Sequence, residues 1–289
     1  MDIWKSEVWK DKYKDHNVRK GLRLKFDRGI DDKLKAGFKE YCRWLRSEYT
    51  FPIRVPVYVK NFKKIKAMDG EYVFGTFLGP FNFLEEPYVR VAAGDFKEAF
   101  EEMGEQAVYQ YLCTLTHELT HYFQWLNNSE LTQIGKERQA TITADRIVQR
   151  YVDAKYEEKQ QFLHKLEQRA KRREINEAEI DKLRKIAFED DVNNKILIAR
   201  ILEESKLIES EKILLHLTKD IDDVVRMEAC NALSNSDSLE VYEALKGIAS
   251  KDSVGMVRGY AIVALGDVAV EINKEKEATK FLKNLLGKN

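Results

Sequence analysis

The first 160 residues combine helical and strand-like hydrophobic patterns. Apolar residues at helical spacing follow Asp31 and Asp32, either of which can cap an amphipathic helix that ends before Pro52. The alternating segment FPIRVPVYVK is a predicted strand, and PYVRVAAGD is another. Between them, Asp69-Gly70 separates FKKIKAM from EYVFGTF, which predicts a hairpin. Helical spacing then returns in EQAVYQYLCTLTHELTHYFQWLNN and in GKERQATITADRIVQRYVDAKY. This order of elements predicts an α+β region.

The C-terminal hundred residues contain a repeated pattern of paired helices. The segments DVNNKILIARIL, DIDDVVRMEACNAL and DSVGMVRGYAIVAL superimpose, and a helical stretch precedes each of them. Three columns of equivalent positions recur. They are a basic column of Lys195, Arg226 and Arg258, an apolar column of Ile198, Ala229 and Ala261, and a leucine column of Leu202, Leu233 and Leu265. The offsets within the basic column are 31 and 32 residues. A period near 30 residues predicts an α-solenoid, whose stacked helix pairs cover one another's apolar faces.

These patterns predict two domains joined by a charged helical connector. The α+β domain occupies residues 1–160, the connector residues 161–176 and the solenoid residues 177–289. Asn176 and Glu179 resemble a capping box, which indicates that a new helix begins there.

Composition and charge exclude several classes of protein. Lys+Arg and Asp+Glu are equal at 49 each, so no global field favours nucleic acid or an anionic membrane. Lysines near Trp4 and Trp9 are interleaved with acidic residues, which favours aromatics packed on the first domain over a nucleic-acid arm. Three dispersed cysteines do not suggest a disulfide framework. Neither a secretory signal nor a membrane span is visible, so we expect a cytoplasmic protein.

The segment CTLTHELTHYFQW contains the residues most indicative of chemistry. Residues four apart share one face of a helix, so His117 and His121 can offer nitrogens to a single ion. Glu118 lies about 100° further around the helix, away from the ion but near a reacting water. This H-E-x-x-H arrangement is typical of zinc peptidases, in which the two histidines bind Zn²⁺ and the glutamate acts as a general base.

A catalytic zinc usually has three protein ligands, and no third histidine follows at a suitable distance. The candidates on or before the next helix are Glu130, Glu137, Asp145 and Asp153. We favour Glu137, because Ala140 and Ala144 follow on its face and would let the two helices approach closely. Asp145 is the alternative, either as the ligand or as a hydrogen-bond partner of a histidine.

The motif HELTHYFQ followed by ERQATITADRIV resembles zincin metallopeptidases that use a glutamate as the third ligand, in particular the ImmA/IrrE-like group. The resemblance implies a helix, a small twisted sheet, an active-site helix and a glutamate helix, with PYVRVAAGD as the edge strand that holds an extended peptide. Thermolysin-like relatives have an aspartate four residues after the ligand glutamate, where this chain has Thr141. The C-terminal repeats resemble HEAT repeats, which bind proteins.

Two functions follow as expectations. The first is a zinc-dependent intracellular endopeptidase, regulatory in character, whose HEAT repeats recruit or position a protein substrate. The second is a non-catalytic HEAT scaffold with a metal-stabilised zincin domain. An intact Glu118 favours the enzyme, since a scaffold has no need of a general base.

Overall fold

The computed structural model describes residues 2–10, 19–68, 70–82, 85–170, 172, 174–189, 191–205 and 207–286. The chain divides into two compact units, Met1–Tyr156 and Glu157–Asn289. The first combines a mixed sheet with helices and the second is helical, which confirms the predicted α+β fold class at this level.

The first unit contains a four-stranded sheet and a small hairpin. Its strands are β1 (Leu22–Phe26), β2 (Val55–Lys60), β3 (Ile65–Lys66), β4 (Tyr72–Val73), β5 (Gly75–Leu78) and β6 (Tyr88–Ala92). The sheet order is β1-β2-β6-β5, in which β2 is parallel to β1 and β6, and β5 is antiparallel to β6. β3 and β4 form the predicted hairpin, whose Gly70 has a φ of +95°, a conformation suited to glycine. Asp69 of the predicted turn lies outside the described residues.

The expectation that PYVRVAAGD forms the edge strand is wrong. β6 pairs with β2 on one side and with β5 on the other, and its Val89 and Val91 are buried. The edges are instead β1 and β5, and β5 has only four residues. Alternation along a strand reveals which of its faces is buried, but it does not reveal the neighbours to which the strand is hydrogen-bonded.

Helices flank the strands of this part of the chain, and the first and third of those given next contact the sheet. They are α1 (Asp32–Glu48), α2 (Phe96–Met103), α3 (Glu105–Leu126) and α4 (Gln133–Ala170), and α4 includes residues 161–170 of the predicted connector. Asp31 caps α1 by accepting hydrogen bonds from the amides of Lys33 and Leu34. Trp4 is 3% exposed and donates from its indole to Thr120 Oγ1 at 3.0 Å, so this N-terminal aromatic packs on the first unit as predicted.

The second unit consists of paired helices whose repeat columns are buried as predicted. The helices are α5 (Glu177–Ala187), α6 (Val192–Glu203), α7 (Ile208–Leu217), α8 (Asp223–Ala232), α9 (Leu239–Lys251), α10 (Gly255–Glu271) and α11 (Glu275–Leu286). The capping box at Asn176 is present. The columns through Ala229 and Leu233 lie in the core. Asp222 caps α8, whereas Asp252 accepts from the amide of Val254, one residue before α10 begins.

Two residues of the basic column, Lys195 and Arg226, form ion pairs between successive repeats. Lys195 Nζ lies 2.8 Å from Asp220, and Arg226 binds both carboxylate oxygens of Asp252, at 2.9 and 3.1 Å. The first repeat therefore keeps the contact of the second, although it has lysine in place of arginine. Each pair links two adjacent repeats, as expected of a solenoid stabilised by contacts between neighbours.

Replacing Arg226 with methionine is expected to lower the free energy of unfolding by about 2–3 kcal/mol at neutral pH, because Asp252 would lose a charged hydrogen-bond partner. The two side chains are only 12% and 10% exposed. The matched control is Arg200→Met, which removes a pair with Glu228 in which the arginine is 57% exposed, and it is expected to change stability by less than about 1 kcal/mol. Urea unfolding followed by circular dichroism measures both, and equal losses would contradict the prediction.

The same pair predicts a dependence on pH. Hydrogen bonding by Arg226 lowers the pKa of Asp252 below its ordinary value. A lowered pKa in the folded state contributes stability that is present above the unfolded pKa and is lost as pH falls through the folded pKa. The difference between the wild-type protein and Arg226→Met should therefore shrink below about pH 4.

Candidate functional site

Helix α3 presents two histidines to a cleft and buries its opposite side. Leu115, Leu119 and Tyr122 lie in the core, which fixes the rotation of the helix about its axis. His117 and His121, one turn apart, are partly exposed and line a cleft of ≈ 1430 Å³. This amphipathic arrangement gives a solvent-accessible site on a rigid element.

Helix α4 brings Glu137 to the two histidines. The turn between α3 and α4 includes Asn128, whose positive φ of 52° is one that asparagine tolerates. Ala140 and Ala144 are buried, consistent with the close helix approach that motivated the choice of Glu137. Glu137 Oε2 lies 3.2 Å from His117 Nε2 and 3.5 Å from His121 Nε2.

A buried glutamine orients His121. The side-chain nitrogen of Gln124 donates to the carbonyl of Lys136 at 2.9 Å and to Gln139 Oε1 at 3.0 Å. Gln124 Oε1 is therefore left to accept from Nδ1 of His121, at 2.8 Å. Because Nδ1 carries the proton in this hydrogen bond, Nε2 has a lone pair, and it faces the point shared with His117.

Thr141 lies near Nδ1 of His117, as Gln124 lies near Nδ1 of His121. Its hydroxyl donates to the carbonyl of Glu137 at 3.1 Å, so its oxygen can accept from Nδ1 of His117, which lies 3.5 Å away. Burial, and then the neighbouring His121, lowers the pKa of His117. Both effects favour a neutral ring whose Nε2 is a lone-pair donor.

These donor atoms fit a divalent metal ion such as zinc. The Nε2 atoms of His117 and His121 are 3.1 Å apart. Their lone pairs face the same point, so the two atoms repel each other unless a cation or a proton lies between them. A tetrahedral ion with bonds of about 2.0–2.1 Å separates its ligand atoms by about 3.3 Å, close to the three distances found here. Among the described residues, His117, His121 and Glu137 form the one cluster with ligand atoms placed to share a metal.

Glu118 follows His117 in the chain and is not a member of this cluster. It is 8% exposed, and burial, followed by the nearby Glu137, raises its pKa to about 8. Its carboxyl group packs against the edge strand at Gly75, where an added Cβ would lie 2.7 Å from Glu118 Cγ and Oε1. The absence of a side chain at Gly75 therefore leaves the space that Glu118 occupies.

The other candidate ligands lie elsewhere. Asp145 accepts a hydrogen bond from the Tyr109 hydroxyl at 2.7 Å, so its predicted role as partner of a histidine is not seen. Glu130 and Asp153 are exposed and do not belong to the metal cluster. The structure thus brings together the two histidines and the favoured glutamate.

Sequence reasoning did not identify Gln124 and Gly75, and it noted Thr141 only as a departure. Gln124 follows His121 by three residues, a helical spacing at which side chains meet, so its role was accessible from the sequence. The contact of Gly75 with Glu118 joins residues distant in the chain, and a lone glycine gives no signal of such a contact.

Comparison with known proteins identifies only the C-terminal part. Residues 180–266 match HEAT repeats, which confirms the repeats predicted from the three columns and implies a protein partner for this part of the chain. No curated protein and no solved structure matches the chain. None of the described helices combines the length and apolar character needed to cross a bilayer.

Replacing Glu137 with alanine is expected to weaken zinc binding by at least tenfold, because the carboxylate is the only charged member of the cluster. Asp145→Ala is the matched control on the same helix, and it should leave the affinity near that of the wild-type protein, since Asp145 bonds Tyr109. Competition with a chromophoric chelator measures both. Loss of the ion in Asp145→Ala alone would show that the wrong acid has been assigned.

Proposed function

We propose that this protein is a zinc-dependent endopeptidase whose HEAT repeats bind or position a protein substrate. The observation that carries the proposal is the convergence of His117 Nε2, His121 Nε2 and Glu137 Oε2 beside a buried glutamate in an open cleft. When bound, zinc would supply a Lewis acid that polarises a carbonyl and activates water. The HEAT repeats favour a selected protein partner over general digestion, and hence a regulatory role.

The residues that line the cleft include a strand edge and aromatic side chains suited to binding a peptide. The edge strand β5 lines it, and an edge strand can bind an extended segment through backbone hydrogen bonds. Phe74 and Phe81 also line the cleft and are more than half exposed. Trp125 is partly buried there and donates to the carbonyl of Pro80 at 3.1 Å. These aromatic surfaces suit extended peptides with bulky apolar side chains.

Glu118 is the general base in this proposal. In its ionised form it can accept a proton from the attacking water and deliver that proton to the leaving amine, which are the two transfers that peptide hydrolysis needs. Its carboxyl group contacts Gly75 of β5, the strand along which a peptide would lie, and its own helix carries His117 and His121.

A non-catalytic HEAT scaffold is the second candidate, favoured by the match of residues 180–266 alone. The test is whether the zinc-loaded full chain cleaves a library of extended peptides and whether Glu118→Gln, which keeps every proposed ligand, fails to do so. Stoichiometric zinc binding without cleavage of peptides or of a captured partner would support the scaffold.

A further inference from the structure

All three proposed ligands are oriented by neutral groups. Gln124 accepts from His121, Thr141 lies behind His117, and the side-chain nitrogen of Gln133 donates to Glu137 Oε1 at 2.8 Å. In the part of the chain that the structure describes, no carboxylate bonds the outer nitrogen of either histidine.

The identity of these outer partners affects metal affinity. A carboxylate behind a ligand histidine fixes the ring and also adds negative charge that strengthens its donor nitrogen. An amide or a hydroxyl fixes the ring without that charge. Gln124 is suited to orientation in particular, because it is 3% exposed and its side-chain nitrogen is committed to Lys136 and Gln139.

We propose that Thr141 and Gln124 set the zinc affinity of this site low, so that occupancy, and with it any activity, follows the concentration of available zinc. This inference rests on the proposed metal site but not on the proposed peptidase activity. The two histidines are held in the correct tautomer before the ion arrives, which favours capture, whereas the lack of an outer carboxylate favours release.

Thr141 offers the sharper test because it is exposed and its substitution disturbs no core packing. Thr141→Asp would place a carboxylate beside His117 Nδ1, one turn after Glu137. Thr141→Asn is the matched neutral control of similar size. Ile142→Asp adds the same charge at the next residue, which is 63% exposed, and it separates a contact with His117 from general attraction of a cation.

Zinc affinity of the full chain would be measured for the wild type and these variants by competition with a chromophoric chelator. Thr141→Asp is expected to bind zinc about tenfold more tightly, whereas Thr141→Asn and Ile142→Asp should remain near the wild type. If Thr141→Asp binds no more tightly than Thr141→Asn, or if Ile142→Asp gains as much, the inference is overturned. A wild-type protein that binds no zinc would instead remove the proposed site itself, so the two failures are distinguishable.

Discussion

Replacing Glu118 with glutamine is expected to lower kcat about 10²–10⁴-fold, the usual contribution of a general base. Glutamine has nearly the same shape, so it should fit the space beside Gly75, but its amide cannot accept a proton from water and return it. Since Glu118 is not one of the clustered ligand residues, zinc binding should be retained. Peptide cleavage and chelator competition on the same samples measure the two quantities.

The control for Glu118→Gln is Glu130→Gln, which makes the same chemical change at an exposed residue outside the cluster. It should leave both kcat and zinc affinity unchanged. If Glu118→Gln retained full activity, another group would have to act as the base, and if it lost zinc, Glu118 would be part of the ligand set. Either outcome would require a different assignment of the cleft.

The H-E-x-x-H pattern predicted the core of the site because helix geometry alone relates its residues. Residues four apart on a helix face the same way, and the buried Leu115 and Leu119 indicate which side of the helix remains accessible. Glu137 required one further step, which the small residues Ala140 and Ala144 supplied. That this site belongs to a peptidase remains a prediction, since the comparisons identify only the HEAT repeats.

The solenoid was predictable for a different reason. A repeat displays the same packing requirement several times, so the columns through Ala229, Leu233 and Arg226 were visible without any structure. The ion pairs were less evident, because Asp220 and Asp252 lie in the turns that follow the first helices of their repeats. Their similar spacings, 25 residues after Lys195 and 26 after Arg226, become meaningful only once the contacts are known.

The sheet was the least predictable element. Alternation identified β2 and β6 as strands, but the order of strands depends on contacts between distant segments, and the edge was therefore assigned to the wrong strand. The edge strand β5 was predicted only as part of the segment EYVFGTF, which the structure divides into β4 and β5. Gly75, at which β5 begins, is also the residue that leaves room for Glu118.

Replacing Gly75 with alanine is therefore expected to lower kcat about 100-fold while zinc binding is retained, since a shift of about 1 Å in a catalytic group can have an effect of this size. The new Cβ would lie 2.7 Å from Glu118 Cγ and Oε1, closer than such atoms can approach, so the carboxyl group must move. The φ of Gly75 is not positive, so alanine can adopt the backbone conformation and the strand itself should persist. Gly247→Ala, where nothing lies within 4 Å of the added atom, is the control for the substitution as such.

A double-mutant cycle tests whether Gly75 acts through Glu118. If it does, adding Gly75→Ala to Glu118→Gln should lower kcat little further, because the displaced group has already lost its function. If Gly75 acts instead through the binding of the peptide to β5, the two substitutions should lower activity independently, and their effects should multiply. Gly75→Ala alone should then also raise KM. Full multiplication of the two effects would show that Gly75 contributes to substrate binding and does not position the base.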